Sequence, residues 1–558
     1  MRSLRLLLAA AVVAGLGAAP GALAQEPPAP GATLYEVCTE SGVPGIPELG
    51  PRTCKSFDSG AVLIAQLCSN LPAPPGACAA ATDGRVIDPA AVDAFEQSWV
   101  WRALRLQDQL DDGEQLRNVL LPHTHNSYNS TAYDPTLSDI DPNQRYSLTD
   151  QLRMGIRGIE LDLHWAPNPS GTAEDGGNAV VLCHGEAVPV GAVTIHAGCT
   201  VDRPFTAGLE ELQAFLDAPG NEDEFLLLYL ENALDDDPVA HDRAAATVEE
   251  VLGDLVERPP ADQPCAPMPL DRSQAELRAA GHRVLIVGNC GPGDGWGSWV
   301  FERGPEWDEG GGGGGYPAYP DCIEAERVPR AYDDNWIRVY EDSTWLSAMA
   351  SGSYNPVDAD ETRSMVRCGV DMVGFDRVEP GDGRLQALVW SWAPDEPVAD
   401  PAKQCVAWGI DARFRVAGCG EIRGFACRTL AGDWVVPPDR GPASAGPDAC
   451  GAIGAAVDTP PTGWQNEQLR KAAAAASAGE LWLDIAAPVL PVPGGGAAPA
   501  GPASDQAADS GRGLPATGAD VRLTLAALLL VAGLVSRGWG GRPTPSRPPS
   551  PRRRRWPG

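Results

Sequence analysis

The sequence has no Cys-x-x-Cys pair among its fourteen cysteines, which removes a zinc ribbon and a thioredoxin-type redox motif from consideration. It has no uninterrupted apolar run of the ~20 residues that a spanning helix needs; Leu6–Leu16 and Leu523–Val535 both fall short. The glycine run Gly310–Gly315 is followed by no P-loop lysine, so it reads as a loop rather than a phosphate cradle. Positive charge is scarce. Lys and Arg number 42 against 75 Asp and Glu, a net charge of −33, which repels nucleic acid at long range and excludes it as a partner.

The two ends carry signals. Arg2 and Arg5, the run Leu6–Leu16 and Ala22-Leu23-Ala24 form a charged, apolar and small-residue series that predicts a secretory signal peptide over residues 1–24. Export places the cysteines in an oxidising compartment and predicts disulfides, with Cys38, Cys54, Cys68 and Cys78 as one local group and Cys405, Cys419, Cys427 and Cys450 as another. At the other end, Leu514-Pro515-Ala516-Thr517-Gly518 precedes the apolar stretch Leu523–Val535 and an arginine-rich tail. This order resembles a sortase sorting signal. The resemblance implies sortase cleavage after Thr517, joining to peptidoglycan and a cell-wall location; the alternative is a C-terminal membrane anchor with its arginines inside.

Between the ends, residues 25–110 read as a Cys- and Pro-rich extension with a lead-in helix. From Asn118 onward, short apolar runs alternate with amphipathic stretches, the pattern of βα units around a parallel sheet. The runs are 118–121, 158–165, 179–183, 224–231, 283–287, 337–340, 372–375 and 388–392. Eight of them predict an α/β fold, a (β/α)8 TIM-type barrel over residues 111–393. Residues 394–487 then read as a small disulfide-braced C-terminal domain, 488–513 as a Pro/Gly/Ala linker and 514–558 as the sorting segment. Arg413-Phe414, Cys419 and Phe425-Ala426-Cys427 faintly resemble the closing part of C-type-lectin-like domains, which implies a carbohydrate ligand; a structural cap is the plainer reading.

Four clusters fall at the C-terminal ends of predicted strands, where barrel enzymes place their chemistry. They are His123-Thr124-His125-Asn126-Ser127-Tyr128, Glu160-Leu161-Asp162-Leu163-His164, Cys183-His184-Gly185 and Leu230-Glu231-Asn232. The two-residue spacing of Glu160, Asp162 and His164 aims all three at one side of a strand. Inward carboxylates are costly unless a cation or partner neutralises them. Together the clusters put histidines, carboxylates and an amide on one rim, an inventory suited to hard-cation binding and acid–base work on a phosphodiester.

In order and spacing, His-Asn-Ser-Tyr, Gly-Ile-Glu-Leu-Asp, Cys-His-Gly and Leu-Glu-Asn resemble the catalytic X region of phosphatidylinositol-specific phospholipases C, strongly from about Asn118 to Asn232 and at strand level to Trp392. The resemblance is to the calcium-dependent enzymes. It implies Asn126, Glu160, Asp162 and Glu231 as Ca2+ ligands, His125 and His184 as catalytic histidines, Glu231 or Glu160 as the general base, and a phospholipid membrane substrate. His123 and His164 have no counterpart role. The lysines that grip ring phosphates in eukaryotic members fall here at Val287 and Asn289, a departure that bears on the headgroup. Two other functions compete. One is a glycerophosphodiester phosphodiesterase or sphingomyelinase-D-like enzyme, although those resemble His-Arg-Gly where this chain has His125-Asn126-Ser127. The other is a wall-anchored adhesin that keeps the barrel only for binding.

Overall fold

The computed structural model describes residues 88–488, apart from 134–141, 185, 191–192, 198–202, 235–236, 293–294, 303–306, 310–335 and 339–355, together with two short antiparallel strands, Tyr35–Thr39 and Thr53–Phe57. The secretory and sorting segments and the polyglycine loop lie outside the described residues.

The chain enters through helix α1 (Trp99–Asp111), whose N-cap Ser98 accepts from the Trp101 N–H. The strands that follow include β1 (Leu121–Thr124), β2 (Gly158–Pro167), β3 (Asn178–Leu182), β4 (Leu226–Ala233), β5 (Val256–Glu257), β6 (Val284–Gly288), β7 (Phe301–Glu302), β8 (Trp307–Glu309), β9 (Trp336–Arg338) and β10 (Met372–Phe375). Their order is β5–β6–β4–β2–β1–β10–β9–β8, with every neighbouring pair parallel. β7 continues the edge begun by β5, since β6 pairs Val284 with Val256 and Val287 with Phe301. Among the described residues no ladder joins that edge to β8. The fold is therefore a mixed α/β one on a long parallel sheet.

Side-chain alternation divides the sheet into two faces. Ile159, Leu161 and Leu163 of β2 and Leu226, Leu228 and Leu230 of β4 join the larger core with the helices, whereas Leu227 and Tyr229 of β4 join a second cluster with Leu121, Leu285, Val287 and Met372. Glu160 and Asp162 alternate with the first set and stand in register with Tyr229 and Glu231. They therefore project on the second face, at the ends of their strands.

Three of the predicted strands turn out otherwise. Residues 118–121 lie almost wholly ahead of β1, with Leu116–Asn118 forming a 3-10 turn. Residues 179–183 form β3, but it runs antiparallel to β2, pairing His164 with Val181; β2 is ten residues long and outruns the parallel sheet, so its far half takes a hairpin partner. Residues 388–392 are not a strand. Leu388 ends helix α2 (Gly383–Leu388), capped by Asp382, and Trp390 and Trp392 then pack edge-to-face against Phe414 of the C-terminal region. A short apolar run has the same pattern whether a sheet or an inter-region contact buries it. The edge strands β5, β7 and β8 are two or three residues each, too short to carry periodicity.

The C-terminal region holds a four-stranded sheet, a three-stranded sheet and helix α3 (Gly463–Ala475). Disulfides Cys405–Cys419 and Cys427–Cys450 tie it internally. Asn466 of α3 locks it to the rest: its amide donates to the carbonyls of Trp390 and Ala412 and accepts from Trp408 Nε1. Cys265–Cys290 braces the β5–β6 side. Among the described residues no helix is long and apolar enough to cross a membrane.

Candidate active site

Residue by residue, the site begins where β1 ends. Asn126 takes a left-handed backbone (φ 43°), a conformation asparagine adopts more readily than most residues. The turn places its N–H 2.9 Å from Glu160 Oε2. Ser127 fastens the turn to β2: its hydroxyl donates to the Thr124 carbonyl and accepts from the Glu160 N–H, and its own N–H donates to the Glu160 carbonyl.

Glu160, Asp162 and Glu231 each bring one carboxylate oxygen within 4.8 Å of the others. Glu160 and Asp162 are buried and Glu231 is exposed. Burial, then the charges of Glu231 and Glu160, hold the Asp162 carboxyl well above the usual carboxylate range. Tyrosines brace two of the acids: Tyr128 donates to Asp162 Oδ2 at 2.9 Å and Tyr229 to Glu231 Oε1 at 3.1 Å. The Asn126 amide lies against Asp162. With its nitrogen toward the acid it donates to both carboxylate oxygens, at 2.9 and 2.7 Å, and its oxygen accepts from His125 Nε2. Turned over, its oxygen joins an all-oxygen cluster. Converging carboxylate oxygens of Glu160, Asp162 and Glu231, with the Asn126 oxygen added in its turned-over orientation, are donor chemistry that suits a hard divalent cation.

His125 lies beside this cluster, its Nδ1 3.1 Å from Asp376 Oδ1. Asp376 follows β10 directly, and β10 pairs with β1. Asn143 donates to the same Asp376 oxygen at 3.0 Å. His184, after β3, is reached through Asn129, whose Nδ2 stands 3.0 Å from His184 Nδ1. Asp376, Asn129 and Asn143 were not singled out from the sequence as carrying chemistry, whereas Tyr128 closes the first cluster read there. Asp376 alone had a usable signal, an acid just past the predicted strand 372–375; the asparagines lie in connecting segments with no periodicity.

The remaining candidates sit apart from the cluster chemistry. His123 is fully buried, and its ring packs onto Gly158, where an added Cβ would come within 2.7 Å of it. His164 is buried on the hairpin half of β2. Asn232 turns to His241, its Nδ2 2.9 Å from Nε2, and accepts from the Leu234 N–H. Val287 is core, and the Asn289 carbonyl accepts from Trp296 Nε1.

The family model described as the Rv2075c PI-PLC-like domain matches residues 83–382. The chain belongs to this family. It is 38% identical over 449 residues to the uncharacterized protein Rv2075c of Mycobacterium tuberculosis strain H37Rv, a match covering 78% of this chain and 89% of the relative, and equally to the uncharacterized protein MT2135 of M. tuberculosis strain CDC 1551. Similar solved structures include the phosphatidylinositol-specific phospholipase C from Listeria monocytogenes, at 14% identity over 50% of this chain and 94% of that one (TM-score 0.32), and PLC21 of S. officinalis, at 12% identity over 68% and 55% (TM-score 0.32). Family membership makes this a protein of the phospholipase-C-like, phosphodiesterase-type class.

Proposed function

We propose that the protein is a phosphoric diester hydrolase of the phospholipase C type, acting on phosphatidylinositol with calcium held by Asn126, Glu160, Asp162 and Glu231. The observation that carries this reading is the convergence at one end of the sheet of an oxygen cluster with His125, with His184 joined to it through hydrogen-bonded asparagines. A hard cation there supplies positive charge to a phosphate oxygen and lowers the pKa of a nearby hydroxyl.

The chain's own groups divide the remaining work. Glu231, the exposed acid, takes the proton of the inositol 2-hydroxyl. His125, backed by Asp376, holds positive charge beside the phosphoryl oxygens. His184 gives a proton to the departing diacylglycerol oxygen as the new O–P bond forms and the glycerol O–P bond breaks. The products are diacylglycerol and a cyclic inositol phosphate, which hydrolyses with the proton roles reversed. We read the parallel sheet as a closed barrel, with β7 and β8 as its seam, and the protein as exported and wall-anchored, in keeping with its terminal signals.

Mass spectrometry of products from mixed phospholipids tests the reaction. A cyclic inositol phosphate supports it. Glycerol phosphate or free choline points instead to a glycerophosphodiesterase or sphingomyelinase-D-like activity, and binding without turnover points to an adhesin.

A further inference from the structure

A continuous run of side-chain hydrogen bonds connects Asp376 to His184 through Asn143 and Asn129, and its direction follows from donor and acceptor chemistry alone. A carboxylate accepts and cannot donate. Asp376 Oδ1 receives Asn143 Nδ2 at 3.0 Å, so the Asn143 amide has its nitrogen committed to the acid and its oxygen turned away. That oxygen accepts from Asn129 Nδ2. The same Asn129 nitrogen lies 3.0 Å from His184 Nδ1. An amide nitrogen has two hydrogens to give and accepts nothing, so His184 Nδ1 must be the acceptor, and the neutral imidazole then carries its proton on Nε2. At the other end, Asp376 Oδ1 and Asn143 Nδ2 both lie against His125 Nδ1, at 3.1 and 3.3 Å.

Both asparagines are held for this purpose. Asn143 is fully buried and Asn129 is 3% exposed. The Asn129 carbonyl accepts from the N–H groups of Asn143 and Gln144, and the Asn143 carbonyl accepts from the Arg377 N–H, next to Asp376. Turning Asn143 over would set its oxygen against the Asp376 carboxylate, and turning Asn129 over would set its oxygen against that of Asn143, each leaving buried groups unsatisfied at a cost of roughly 1–3 kcal/mol.

We propose that Asn129 and Asn143 are positioning residues that carry the acceptor-only character of Asp376 to His184 and set its neutral imidazole as the Nε2–H tautomer. The catalytic meaning rests on the phosphodiesterase reading, in which Nε2 is the nitrogen that faces the leaving oxygen. The tautomer itself does not depend on it.

The test is two-bond proton–nitrogen NMR of the full chain, labelled with 15N at its seven histidines and recorded above the imidazole titrations, with His184 identified by its loss in His184→Gln. The wild type should show His184 as Nε2–H. Asn129→Asp, which replaces the donor with an acceptor, should reverse it to Nδ1–H, and Asp376→Asn should mix the two forms from two residues away. Thermal unfolding of each variant shows that the fold persists. A wild-type His184 in the Nδ1–H form overturns the proposal without recourse to any variant, as does an unchanged His184 tautomer in folded Asn129→Asp and Asp376→Asn. Nε2–H in a protein that turns over no phosphodiester leaves the tautomer device standing and removes only the functional reading.

Discussion

His125 Nδ1 and Asp376 Oδ1 lie 3.1 Å apart although 251 residues separate them in the chain. The sheet register explains the meeting. β1 and β10 run parallel with Thr124 opposite Phe375, and the His125 N–H donates to the Phe375 carbonyl, so the first residue past each strand end falls beside its counterpart. The first prediction follows directly. Asp376→Asn should lower kcat by about 10²-fold or more, as losing an acid–base partner does, with KM little changed. Steady-state kinetics on a phosphatidylinositol substrate checks it, and a pure KM effect would contradict the assigned role.

His184 is predicted to act on the leaving group. His184→Ala should cost about 10²-fold or more in kcat on a diacylglycerol ester, and a substrate with an intrinsically good leaving group should recover most of that loss. Equal losses on both substrates would remove the assignment.

Cation binding should depend on pH through Asp162. Its folded pKa is raised above the ordinary 3.8 by burial and by Glu231 and Glu160. The metal-free folded state thus keeps a proton that the unfolded chain has lost, and its stability falls as pH climbs from about 4 toward the raised value. A bound cation displaces that proton. Calcium should therefore bind more tightly and raise Tm more as pH climbs from about 4 through the raised value, with proton release visible by calorimetry in buffers of different ionisation enthalpy. Asp162→Asn should raise the Tm of the metal-free protein at pH 8 while weakening the calcium response. Full activity in excess chelator, with the fold intact, would falsify the calcium mechanism.

Stability should be concentrated at the opposite end of the strands. Glu224 accepts from Arg157 Nε at 2.6 Å and pairs with Arg105, and Arg157 also donates to the carbonyls of Leu152 and Ile156. Both Glu224 and Arg157 are buried. Glu224→Leu removes the carboxylate bonded to buried Arg157 and leaves Asp108 as the nearby counter-charge, so the cost in chemical denaturation should approach the about 3–5 kcal/mol of breaking a buried pair. A loss below about 1 kcal/mol, the scale of an exposed pair, would show that the pair is solvated.

The terminal signals predict location. In a sortase-bearing host the protein should stay with the cell wall, and Thr517→Ala should move it to the medium or the membrane. Equal distribution of the two forms between fractions would remove wall anchoring.

What the sequence determined by itself was local. Alternation on one strand put Glu160 and Asp162 on a common side, and the apolar runs at 158–165, 224–231, 283–287 and 372–375 located the longer parallel strands, because strands buried on both faces are continuous in apolar residues. The order of motifs pointed to the phospholipase-C-like family. What only the tertiary structure decided was everything that depends on which strand lies beside which. The pairing of β1 with β10 brings Asp376 to His125, the reach of β2 past the sheet turns residues 179–183 into a hairpin partner, and the packing of Trp390 and Trp392 on Phe414 turns a predicted strand into a contact between regions. Asn129 and Asn143 show the reason most plainly. A buried amide in a connecting segment has no periodicity to reveal it, and its role comes from the donors and acceptors that distant segments place around it.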